Sequence, residues 1–122
     1  MFAHEREELF AHFHSLQTPG RRVIALTGDA HAQFVSRHPA PEPTGEPIYE
    51  FCSSGTDRGD TTALGKPLHD DEGRMDPLRA RKHAHAFGFV QIAEGPPGRV
   101  VRFRCISSES GADLWPPLEL AL

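Results

Sequence analysis

Two runs in the second half of the chain, Ala86 to Ala93 (AFGFVQIA) and Arg99 to Ser107 (RVVRFRCIS), flank Glu94-Gly95-Pro96-Pro97-Gly98. In the second run Val101, Phe103 and Cys105 alternate with Arg102 and Arg104. That is the period of a strand with one apolar and one solvated face. Gly and Pro break the pattern between the runs, so the pair reads as a β-hairpin. Phe87 and Phe89 are expected to supply the matching apolar face. A chain with 11 Gly and 11 Pro among 122 residues holds short elements joined by loops, not a helical bundle. Eight Phe and 38% hydrophobic residues suffice for one modest core, so residues 1–122 are expected to form a single domain.

The rest of the chain reads around that hairpin. Leu9, Phe13 and Leu16 recur at helical spacing, with Phe2 and Phe10 widening the stripe, while Glu5, Arg6, Glu8 and His12 lie off it. Thr18-Pro19-Gly20 stops this helix. Arg22 to Thr27 (RVIALT) is apolar on both faces, which predicts a strand in the middle of a sheet. Ala32 to Arg37 fits a helix or a strand equally. Pro39 to Pro47 is a Pro-rich loop, and Ile48 to Ser53 is a strand with Tyr49 and Phe51 on one face and Glu50 and Cys52 on the other. Residues 56–82 show no sustained period and read as a long loop. Trp115 and the prolines after it suggest an irregular terminal strap. The expected fold class is α+β, with an N-terminal helix packed on a mixed or antiparallel sheet of four to five strands.

The segment with most chemistry is Leu26-Thr27-Gly28-Asp29-Ala30-His31, just after a strand. In extended backbone, residues two apart point the same way, so Asp29 and His31 can converge on one point. Gly28 would let the backbone come close to that point. A carboxylate oxygen with an imidazole nitrogen suits a transition metal; a turn-capping Asp beside a surface His is the plainer alternative. His83 and His85, in Lys82-His83-Ala84-His85, would share one face of a strand and could join His31 in a three-His mononuclear site. His12 and His14 stand roughly 200° apart around a helix and cannot chelate together. Ser53-Ser54-Gly55 reads as a turn, the acidic run at His69-Asp70-Asp71-Glu72 and the basic cluster of Arg79, Arg81 and Lys82 as solvated surface. Cys52 and Cys105 read as buried thiols.

In order along the chain, RRVIALTGDAHAQFVS, PIYEFCSSG and FGFVQI resemble the C-terminal part of PhoD-like alkaline phosphatases, in the calcineurin-like metallophosphoesterase superfamily. The matching residues are Gly28, Asp29 and His31; Tyr49, Glu50, Ser53, Ser54 and Gly55; and Phe87, Gly88 and Phe89. The resemblance implies half of a two-sheet sandwich. It also implies a metal-dependent phosphoester hydrolase, to which Asp29 and His31 would bring late metal ligands and catalytic groups. The cofactor would be a divalent or trivalent metal ion such as Fe, Zn, Mn or Ca, and the substrate a phosphoester. The family's earlier segments, Asp-x-His, Gly-Asp-x-x-Asp and Gly-Asn-His, do not occur here, and the chain contains no Asn. A hydrolytic site would therefore be incomplete in this chain alone.

Other functions fit the same residues: a small mononuclear metalloenzyme using His31, His83 and His85, or a non-catalytic β-rich interaction module. With 13 Lys and Arg against 17 Asp and Glu, the net charge of −4 gives no footprint for nucleic acid. No run is long and apolar enough for a membrane span, and the N-terminus lacks a signal-peptide pattern, so a cytoplasmic location is expected. A half-sandwich would leave one sheet face bare, which predicts a homo-oligomer or a partner subunit.

Overall fold

The computed structural model describes residues 3–28, 32–54, 76–82, 85–96 and 98–122, with 76–82 as backbone. The fold is α+β. One N-terminal helix, α1 (Ala3–Ser15), precedes β1 (Ile24–Thr27), β2 (Ala32–His38), β3 (Ile48–Ser53), β4 (Asp76–Lys82), β5 (Ala86–Gly95), β6 (Gly98–Ser107) and β7 (Leu118–Ala121). The strands divide between two sheets instead of one: a mixed sheet in the order β1-β3-β2-β4 and an antiparallel sheet in the order β5-β6-β7.

The helix ends where Pro and Gly dictate. Arg21 N–H donates to Thr18 C=O at 2.9 Å, and Gly20 takes φ of 80°, the geometry of a turn with Pro second and Gly third. The helix docks through Phe10, whose ring lies 4.4 Å from that of His38 at the end of β2. Phe13 supports it edge-on at 6.0 Å. Leu9, expected on the packed stripe, is 43% exposed, because contact is confined to the Phe10 side.

The mixed sheet corrects three sequence expectations. First, β1 is an edge strand, not a central one; it pairs in parallel with β3 alone, and Leu26 is 64% exposed. Second, Ala32 to Arg37 is a strand, antiparallel to β3 from Gln33↔Ser53 to His38↔Ile48. Third, the expected loop over 56–82 ends in a strand, since β4 pairs with β2 from Ala32↔Lys82 to Arg37↔Asp76. Pro77 enters at a shift of register beside Val35 and Ser36, on the outermost strand, where a missing N–H is tolerated. That Pro and the lack of alternation hid the strand from a periodicity argument. Residues 56–75 lie outside the described residues.

In the antiparallel sheet, Gly95 pairs with Gly98 and the register runs back to Ala86↔Ser107, so the hairpin forms as its sequence demands. Its faces differ from expectation. Val90 lies opposite Phe103 and Ile92 opposite Val101, while Phe87 and Phe89 fall opposite Ile106 and Arg104. Directly opposed residues share a face, so Phe87 and Phe89 stand on the solvent side, 42% and 46% exposed. A one-residue offset decides this, and both phases of AFGFVQIA are apolar, so the pattern could not settle it. The expected terminal strap becomes β7, which pairs with β6 from Val100↔Ala121 to Phe103↔Leu118.

The core lies between the two sheets. Val35 and Phe51 face Val101, Phe103 and Cys105, and Trp115 closes the cluster. The rings of Phe51 and Phe103 stack at 4.4 Å, only 7° from parallel. Ala32, Phe34 and Cys52 form a second buried cluster. Both faces of the mixed sheet therefore carry buried side chains, whereas the antiparallel sheet leaves Phe87 and Phe89 exposed on its outer face. The sheets pack tightly at Gly88, where a Cβ would sit 2.9 Å from Ser53 Cβ of the other sheet and 3.0 Å from Phe103 Cε2 of its own. Gly88→Ala should therefore lose about 1–3 kcal/mol of stability, read from denaturant midpoints.

Candidate functional site

Parallel pairing of β1 with β3 places their carboxyl ends at the same end of the mixed sheet. The amino end of β2 and the carboxyl end of β4 join them there through the Ala32↔Lys82 pair. Asp29 and His31 occupy the connection from β1 to β2, and His83 follows β4 directly; all three lie outside the described residues. His85 is half-buried, and its carbonyl accepts the Ser108 N–H at 2.9 Å. Among the described residues, no three His, Cys, Asp or Glu side chains are grouped to hold a metal.

The described residues around this sheet end are fastened by side chains. Ser54 Oγ accepts from Ala32 N–H at 3.2 Å and lies 3.4 Å from the Ala32 carbonyl oxygen, which clasps the start of β2 to the end of β3. Gln33 is fully buried. Its amide donates to the Ser54 carbonyl and to the Ala86 carbonyl at 3.4 Å, while its Oε1 receives the Cys105 thiol at 3.5 Å. One side chain thus ties the mixed sheet to both long strands of the other. Against the described residues a Cβ at Gly28 would meet only Ser53 O, at 3.6 Å, and Ser54 Cβ, at 4.0 Å. Both are ordinary van der Waals contacts.

The cysteines are buried thiols, as expected, and Cys52 Sγ lies 3.8 Å from the Ala32 carbonyl oxygen. Cys52 belongs to the cluster with Phe34 and Cys105 to the core between the sheets, so the two thiols do not pair. Burial pushes the Cys105 thiol up to about 11. It stays protonated at neutral pH and is not a nucleophile.

A polar cluster that the sequence did not single out lies on β2 and β3. His38 Nε2 is 2.8 Å from Glu50 Oε2, and Glu50 Oε1 accepts from Thr27 Oγ1 at 2.8 Å. A carboxylate set among apolar strand residues needs such partners to be buried without a large penalty, and that requirement was its one sequence signal. The hydrogen bond from His38 holds the Glu50 carboxyl below its ordinary range, with Thr27 and the nearby charge of Arg6 acting the same way against burial. The Phe10 ring on His38 links this cluster to α1.

A cleft of about 640 Å³ opens at the other end of the mixed sheet. It runs between the end of α1 and the Pro-rich loop, with Gln17, Arg22 and Glu46 in its wall. Arg22 Nη1 and Glu46 Oε2, at 2.6 Å, already neutralise each other. Comparison with family models, curated proteins and solved structures found no match.

Two results are expected. Ser54→Ala, which removes the clasp on β2, should cost about 1 kcal/mol in denaturant unfolding. A depressed Glu50 pKa adds stability that is complete above the ordinary value of 4.5 and is lost as pH falls through the folded value. Thermal midpoints measured from pH 7 to pH 3 should therefore fall on the acid side, and Glu50→Gln should flatten that fall.

Proposed function

We propose that this chain is a metallophosphoesterase-like segment that contributes Asp29 and His31 to a metal site acting on phosphoesters. The observation that carries the reading is the meeting of the β1 and β3 carboxyl ends with the amino end of β2, between which Asp29 and His31 stand in the sequence. Ligands of sheets with parallel strands gather at carboxyl strand ends, where backbone groups and the first loop residues converge. Ser54 and Gln33 support the reading by fixing the start of β2, the residues that follow His31, to the end of β3.

The donor set is an Asp oxygen and a His nitrogen, suitable for Fe, Zn or Mn. A metal held there would supply Lewis-acid activation of water and of the phosphoryl oxygen. The contribution of this chain is to hold and orient. Asp29 would ligate directly or fix the His31 ring by accepting its second ring N–H, and His31 would present the other nitrogen. Two donors do not complete a hydrolytic site, so phosphoester hydrolysis requires ligands from outside the Asp29-His31 pair.

A second reading, a mononuclear site of His31, His83 and His85, is favoured by the Ala32↔Lys82 register, because His31 and His83 are the next residues in sequence beyond that pair on the two strands. Metal titration of the purified chain, followed by elemental analysis, separates the readings. Asp29→Ala and His31→Ala should each lower bound Zn²⁺ or Mn²⁺ while the far-ultraviolet circular dichroism stays unchanged. Metal content that is unaffected in His31→Ala overturns both assignments. Loss of metal in His83→Ala selects the mononuclear site. A folded wild-type chain that binds none points to a non-catalytic module.

A further inference from the structure

The four outer strands of the two sheets differ in how they are protected. β4 carries Pro77 with Arg79, Arg81 and Lys82, the charged and Pro-bearing composition that discourages further pairing. β1 and β7 are only four residues long, and β7 carries Glu119. β5 is ten residues long and uncharged from Ala86 to Ala93. It pairs with β6 on one side and with no described strand on the other. Beside that open edge stand Phe87, Phe89, Val90 and Ile92, the last 66% exposed.

The register identifies the backbone groups on that edge. A two-residue connection makes Gly95–Gly98 a hydrogen-bonded pair, and alternation then gives Ala93, Gln91 and Phe89 to β6. On the far side of β6, Leu114 N–H donates to Cys105 C=O at 2.8 Å and Leu122 N–H to Arg99 C=O at 2.9 Å, in agreement with this alternation. The N–H and C=O of Val90 and Ile92 therefore point outward.

We propose that the occupant of this edge is a second copy of the chain, joined β5 to β5 in antiparallel fashion about a two-fold axis beside Gln91. In that register Val90 lies opposite Ile92 of the second copy, and Phe89 lies over Ala93 of the second copy. Self-pairing suits the strand because it brings no like charges together, a condition that few edges meet. The nearby Arg side chains are already engaged: Arg99 with Glu94, Arg102 with Glu119 and Arg104 with Asp113. A partner recognised by charge would find no unpaired side chain among these three. The product is a continuous sheet of two three-stranded halves. Among the described residues, only four exposed large apolar side chains stand beside the edge in each copy, far fewer than the about 20–30 residues a side of stable complexes, so association is weak and concentration-dependent.

Sedimentation equilibrium from about 1 μM to 1 mM covers that range. The mass of the wild-type chain should rise from monomer towards dimer. Ile92→Lys should remain monomeric with unchanged circular dichroism. Gln91 and its copy form a non-hydrogen-bonded pair with Cα atoms about 4.5 Å apart, within the span of a disulfide. Gln91→Cys should thus cross-link as a dimer under mild oxidation, whereas Glu109→Cys, on an exposed turn, should not. A wild-type chain that stays monomeric, a dimer that survives Ile92→Lys, or Gln91→Cys that cross-links no faster than Glu109→Cys overturns the proposal. None of these readouts depends on metal binding.

Discussion

The stacked rings of Phe51 and Phe103 are the contact on which the architecture rests. Each ring comes from a different sheet, and neither sheet has an inner face without the other. Face-to-face packing of sheets needs about 10 Å of side-chain depth, which two aromatic rings supply at the centre. At the margin the depth must shrink, and there Gly88 replaces a side chain with nothing so that Ser53 can fit.

Buried polar groups do the rest of the positioning. Gln33 has no access to water, and its amide reaches both sheets and a thiol. His38 and Glu50 satisfy one another with help from Thr27. Such groups specify geometry more sharply than apolar packing, because a buried donor or acceptor left unpaired costs more than an imperfect methyl contact. Gln33 and Ser54 act at the sheet end where β2 begins, next in sequence to Asp29 and His31, and His38 and Glu50 act where α1 docks. The first pair bears on the proposed metal site, and the second holds the helix.

Much of the fold was legible. The helix and its Pro-Gly stop, the Ile48 to Ser53 strand with its two faces, and the hairpin all follow from periodicity and breakers. What was not legible depends on partners remote in sequence. RVIALT is apolar on both faces whether its strand is central or at an edge, and only the pairing with β3 decides. AFGFVQIA offers two equivalent faces, and the register with β6 chose the one that leaves Phe87 and Phe89 outside. β4 has no alternation and owes its existence to β2. At the candidate site, the sequence singled out Asp29 and His31 by the chemistry of their side chains. It missed Gln33, because an amide inside an undecided segment carries no signal until its partners are known.

The division of the strands between two sheets also bears on synthesis. The antiparallel sheet comes from one continuous stretch, residues 86–121, and needs only local turns to form. The mixed sheet must close a parallel pair and draw β4 back onto β2. On the ribosome the order is reversed, since the slower sheet emerges first. Val35 and Phe51 then wait without a covering layer until Phe103 has been added. Translation thus presents the inner face of the mixed sheet to the cell as a transient apolar surface, and the rapid C-terminal meander is the element that removes it.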